Sequence, residues 1–155
     1  MNFYAWVLAF HLLAAFALAA ALVLFSVLVF AGRRMTTLEQ NRLLFRVGPT
    51  GGILMGAGAG LTLILGVVLA LKSDRFEIWN GWIIAALVLW ALMGAVGQRT
   101  GAYYTNVQKR AESGDPGAEA EVLAGLRAPT GALLHLATVA IFVLLLLDML
   151  FKPGA

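Results

Sequence analysis

Cysteine is absent from these 155 residues. That excludes disulfides, thiol catalysis and thiolate metal sites. Charge is scarce as well. Asp, Glu, Lys and Arg make up 12% of the chain, about half the roughly 25% of a soluble domain. A water-soluble fold of this length would have no polar skin. The formal net charge of +3 is too small for a nucleic-acid surface, and no nucleic-acid partner is expected. Histidine occurs only as His11 and His135, so no metal site is expected. Enzyme signatures are also missing: there is no P-loop, no HExxH, no GxSxG and no pair of carboxylates inside an apolar run.

What remains is apolar, 61% of the residues. A helix needs about 20 apolar residues to cross a bilayer. Four runs qualify, at about 4–31, 51–71, 81–97 and 131–151, the last containing Asp148. Runs of this length without period-two alternation do not read as strands. The expected fold is an all-α membrane protein, a four-transmembrane-helix bundle forming one integral domain over 1–155, with loops at 32–50 and 98–130. The first run lacks a positive leader and exceeds the usual signal core of about 7–15 residues, so it reads as a retained span.

Lys and Arg set the orientation. Arg33, Arg34, Arg42 and Arg46 lie in the first long loop, and Arg99, Lys109, Arg110 and Arg127 in the second. The opposite side holds only Lys72, Arg75 and Lys152. Both long loops are therefore expected in the cytoplasm and both termini outside. Tyr4, Trp6, Trp79 and Trp82 would form an outer aromatic belt. Thr36 with Glu39, or Thr37 with Gln40, has capping-box spacing. Asp115-Pro116 is placed to start a short helix through Leu126, with Val122, Leu123 and Leu126 against the membrane surface. A plain linker is the other reading of 112–117.

The chain also repeats itself. Pro49-Thr50-Gly51 and Pro129-Thr130-Gly131 stand 80 residues apart, and both registers run on to a lysine, Lys72 and Lys152. Phe10-His11-Leu12-Leu13 falls on Trp90-Ala91-Leu92-Met93 at the same offset. Two tandem hairpins in a pseudo-twofold repeat are expected. Gly52, Gly56 and Gly60 recur every fourth residue, a spacing that lets helix backbones approach. Helix packing is the first reading of that row, and a groove for a flat ligand is the second.

An ionisable group inside a bilayer is a functional candidate by default. His11, His135 and Asp148 are the three here. His11 continues the Ala15–Ala19 row and should face the bundle. At about 1.5 Å per residue it lies roughly 12 Å or more in depth from His135, too far to share one haem. Asp148 has two open readings: an ion pair with Lys152 four residues on, or a hydrogen bond to His11. For His135 the expectation is a structural bond to a backbone carbonyl or polar contact with Thr138.

These pieces together resemble the HemJ protoporphyrinogen oxidases and, more loosely, the CopD-like membrane domains. The carriers are the aromatic-His-apolar stretch at His11, the Gly-rich second span behind Pro49, Gly81-Trp82 leading to basic Lys109-Arg110, and Ala128-Pro129-Thr130 leading to Phe151-Lys152. A group of small bacterial four-span membrane proteins of unknown function looks closer still. The resemblance implies a bacterial cytoplasmic (inner) membrane location and makes His11 a haem ligand. The family's essential span-three lysine falls on Ala86. A non-catalytic accessory, scaffold or oligomer-forming subunit is therefore expected, embedded in lipid as a homo-oligomer or part of a membrane complex. The alternative is a haem- or tetrapyrrole-binding protein using His11.

Overall fold

The computed structural model describes residues 2–73 and 79–153, and the side chains of 41–44 lie outside that description. Arg75 and the Arg42 side chain therefore fall outside the described residues. The elements are α1 (Phe3–Gly32), α2 (Leu38–Leu71), α3 (Gly81–Glu112), α4 (Ala118–Arg127) and α5 (Pro129–Phe151). No strand occurs among the described residues. Four of the helices are long and apolar enough to cross a membrane. Their outer surface is oily: Phe16, Ile53 and Leu150 are 70%, 74% and 71% exposed. Such a surface is costly in water and natural in lipid. The chain is a multi-pass all-α membrane protein.

The helices run past the apolar stretches that announce them. α2 begins at Leu38 and continues through Pro49, so the expected loop at 32–50 shrinks to a corner. Thr37 makes that start possible. Its side chain accepts from the Gln40 amide at 3.4 Å, while Gln40 Oε1 accepts from the Thr36 amide at 3.0 Å. Of the two capping spacings, Thr37–Gln40 is the one that forms. α3 likewise extends to Glu112. A turn with positive φ at Gly114 and Gly117 (70° and 89°) then feeds α4, whose first turn carries Glu119 and Glu121 where the helix dipole favours acid. Val122 and Leu126 are buried at 1% and 5%. They face protein and not the membrane surface, which corrects that expectation; Leu123 is partly exposed. Pro129 opens α5 at its first turn, where its missing N–H costs nothing.

The helices pair as two hairpins. α1 lies along α2, and α3 lies along α5, while the two pairs touch each other far less. Close approach within each pair uses glycines at equivalent places. A Cβ on Gly51 would sit 3.3 Å from Leu24 Cδ2 and from Phe25 of α1. A Cβ on Gly131, the same position in the second half, would sit 2.6 Å from Tyr104 Oη and 2.7 Å from Tyr103 of α3. Leu24 and Tyr104 are themselves 80 residues apart. The two halves thus reuse one contact.

The hairpins are joined at the end where α4 lies. Arg33 Nη1 donates to the Ala128 carbonyl at 2.7 Å, Arg127 Nη2 to the Met35 carbonyl at 3.1 Å, and the Leu38 amide to Glu119 Oε1 at 2.9 Å. Each bond links the α1–α2 corner to the α4–α5 segment. The shared core is small: Leu18, Leu22, Met93 and Phe142.

Candidate functional site: a cleft between the hairpins

Two helix pairs that meet so little leave space between them. A cavity of about 730 Å³ lies there, running from the α4 end toward the middle of the bundle. α2 supplies one wall through Gly48, Gly52, Gly56 and Gly60; α3 supplies the other through Trp90, Met93, Gly94, Gly97 and Gly101. Nothing comes within 4 Å of a Cβ placed on Gly48, Gly52, Gly56 or Gly60. The four-residue glycine row is therefore not the packing face. Close packing of α2 on α1 uses another face, Gly51, Gly58 and Gly66, where the Cβ of Gly58 would lie 3.0 Å from the Leu18 backbone nitrogen. The absence of side chains on the first row leaves a slot, and Trp90 holds its width by donating from Nε1 to the Ala59 carbonyl at 3.3 Å.

The slot is apolar for most of its lining, with polar groups concentrated toward the α4 end: Gln98, Thr100, Tyr104, Thr105 and Gln108. His135 and Thr138 of α5 also line it, only 2% and 3% exposed, with Thr138 against Gly97 and so level with Gln98. A buried imidazole needs a partner. His135 Nε2 finds one in Ser26 Oγ of α1, at 2.8 Å. Ser26 in turn bonds the Leu22 carbonyl at 2.9 Å, and Thr138 Oγ1 donates to the Leu134 carbonyl at 3.0 Å. So His135 bonds a side chain of the other hairpin, and it pins α5 to α1 beside the slot. Sequence reasoning passed over Ser26. Its only signal was being the one serine or threonine in the first apolar run.

His11 and Asp148 lie elsewhere. The His11 ring packs against α2, with Cε1 3.1 Å from where a Cβ on Gly66 would be, beside the Thr62 backbone. It faces the bundle as expected. Its Nδ1 is enclosed and without a hydrogen bond, and His11 lines neither the slot nor the second, wholly apolar groove between Phe3, Phe10 and Leu65. The Lys152 amide donates to the Asp148 carbonyl at 2.8 Å as the helix cap, but no side-chain hydrogen bond or ion pair joins the Asp148 carboxyl to His11 or to Lys152, and its Oδ2 is buried without a partner. Both open readings of Asp148 are thereby corrected, because α5 belongs to the other hairpin and Lys152 turns away. Lys152 Nζ lies over the Trp82 ring, 5.5 Å from its centroid, a cation–π placement. Trp82 itself is 7% exposed and does not join an outward belt, unlike Trp6 and Trp79, at 52% and 82%. Ala86 is a buried apolar residue of α3, so no ionisable group stands at that place. No group of three or more metal-ligating side chains occurs among the described residues.

No protein-family model, curated protein or solved structure gave a match to the chain.

Proposed function

We propose that this chain is a non-catalytic integral membrane protein, an accessory subunit that holds one membrane-dissolved amphiphile in the slot between its hairpins. The carrying observation is the pair of facing small-residue walls, open along Gly48–Gly60 and closed at the back by Trp90, around about 730 Å³. Volume decides against a docked partner helix. A spanning helix about 30 Å long and 10–12 Å wide occupies about 2,400–3,400 Å³. The slot is several times smaller and falls in the range of roughly 300–1,000 Å³ typical of small-molecule sites. Its lining also matches an amphiphile, largely apolar but with polar groups on α3 and α5: Gln98, Tyr104, Gln108, His135 and Thr138. On the orientation expected from the arginines, the α4 end faces the cytoplasm, in the bacterial inner membrane that the family resemblance implies.

The test is native mass spectrometry of the protein transferred from membranes into lipid nanodiscs. Gly56→Leu adds a side chain where nothing stands within 4 Å, so it fills the slot without disturbing α1–α2 packing. The unaltered protein is expected to release with one amphiphile bound, and Gly56→Leu without it. Equal occupancy of both proteins would defeat the proposal.

A further inference from the structure

Hydrogen counting in the slot narrows the ligand. Ser26 has one hydroxyl proton and two short contacts, to the Leu22 carbonyl at 2.9 Å and to His135 Nε2 at 2.8 Å. A carbonyl oxygen only accepts, so the Ser26 proton belongs on that bond. Ser26 Oγ must then accept from His135, which places the ring proton on Nε2. In a neutral imidazole the other nitrogen, Nδ1, is left with a free lone pair. Nδ1 makes no hydrogen bond among the described residues. Thr138 behaves the same way: its proton is committed to the Leu134 carbonyl at 3.0 Å, and its oxygen keeps only acceptor capacity. His135 and Thr138 therefore offer acceptors and no donor, and the donors of the lining, Gln98, Tyr104 and Gln108, stand on α3.

We infer that the ligand is a flat apolar molecule carrying a hydroxyl group, and that this hydroxyl donates to His135 Nδ1. The inference rests on the slot being a ligand site, as proposed above, and adds the ligand's chemistry. A ring fits between the glycines of α2 and the face of α3 that carries Trp90 and Gly94, where a branched side chain on either wall would block it. With its polar atom at His135 Nδ1, a carbonyl-only ligand would bring an acceptor to an acceptor and leave both unpaired, which is costly at a buried group. The site thus favours a phenol- or quinol-type molecule over its ether or its oxidised carbonyl form.

The probes are 2-naphthol and 2-methoxynaphthalene, the same ring with and without an O–H. Binding is measured by equilibrium dialysis of protein-loaded nanodiscs, with empty nanodiscs subtracting partition into lipid. The unaltered protein is expected to bind 2-naphthol about fivefold more tightly, as one internal hydrogen bond warrants. His135→Phe keeps an aromatic ring and removes the acceptor, and it should level the two probes. Ser26→Ala removes the group that fixes the tautomer and should also erode the preference. That variant keeps the imidazole in place and so separates proton placement from loss of the ring. Equal affinities in the unaltered protein, or a preference that survives both variants, would overturn the inference while leaving the slot intact. Binding of neither probe above empty nanodiscs would overturn the slot as well.

Discussion

Two glycines two residues apart on α2 should respond in opposite ways to the same substitution. At Gly58, a new Cβ meets the Leu18 backbone: its nitrogen at 3.0 Å, its Cα at 3.2 Å and its Cβ at 3.2 Å. None of these is the tip of a flexible chain, so α1 itself must shift. That shift disturbs the core contact Leu18 makes with Leu22, Met93 and Phe142. Overpacking of this kind costs about 1–3 kcal/mol. At Gly56 nothing stands within 4 Å. Alanine there loses no contact and gains about 0.5–1 kcal/mol from its lower backbone entropy in a helix. That entropy gain is common to both positions and cancels, so Gly58→Ala and Gly56→Ala should differ by about 1–3 kcal/mol.

The assay is reversible unfolding by SDS in mixed micelles, followed by circular dichroism, with both variants in the same detergent. Gly58→Ala should move the midpoint to less SDS, and Gly56→Ala should leave it in place or raise it slightly. The reverse order would refute the argument. It would mean that the four-residue row Gly52–Gly56–Gly60 is the contact face and that the slot is closed in the folded protein.

Three further outcomes follow from other parts of the structure. Glu121 accepts from Arg110 Nε at 2.5 Å and Nη2 at 3.1 Å, and this bond, followed by the Arg110 charge, holds the carboxyl below its ordinary value of 4.5. A carboxyl lowered in the fold stabilises above its unfolded value and loses that contribution as pH falls through the folded one; amide-exchange protection of α4 should fade on acidification below about pH 4.5, and in Glu121→Gln it should be weak at every pH. Both termini are expected outside from the arginine distribution; on that orientation, in this cysteine-free chain, Ser73→Cys should react with a membrane-impermeant maleimide on intact spheroplasts, and Ser113→Cys only after lysis. The purified protein should show no Soret band; a band present in it and abolished by His11→Ala would replace the non-catalytic reading with tetrapyrrole binding.

Four apolar runs were enough to read the spans, because a bilayer sets their length with little help from tertiary context. The Thr37–Gln40 cap, one of two spacings offered, and the short helix after Asp115 were legible for a similar reason: each depends on neighbours within four residues. The glycines of α2 were not. That helix carries two small faces, Gly51–Gly58–Gly66 and Gly48–Gly52–Gly56–Gly60, and both spacings suit close packing. Only the placement of α1 shows which face is filled. The partner of His135 was hidden by distance, since Ser26 lies 109 residues away on another helix. Asp148 misled through a rule that ignores the helix end: its spacing from Lys152 suits an ion pair, but Lys152 leaves the helix with φ at 45°, and its ammonium sits over Trp82.

The repeat explains why a slot forms at all. Equivalent glycines, Gly51 and Gly131, draw each hairpin tight on itself at the same register. Contacts used within a hairpin are not available between hairpins. What joins the halves is therefore asymmetric: the Arg33–Ala128, Arg127–Met35 and Leu38–Glu119 bonds at the α4 end, Ser26–His135 just inside it, and the Trp90–Ala59 bond with the small shared core in the middle. The counterpart of Ser26 at the 80-residue offset is Asn106, and that of His135 is Met55. The second copy of that polar pair thus never forms. One polar pair on one side of a nearly twofold structure leaves one slot with one polar anchor, the arrangement a single amphiphile requires. Restoring symmetry should remove it. His135→Met gives α5 the residue found at Met55, abolishes the bond to Ser26, and on this reasoning should lose the preference for a hydroxylated ligand while the two hairpins, each held by its own glycines, stay folded.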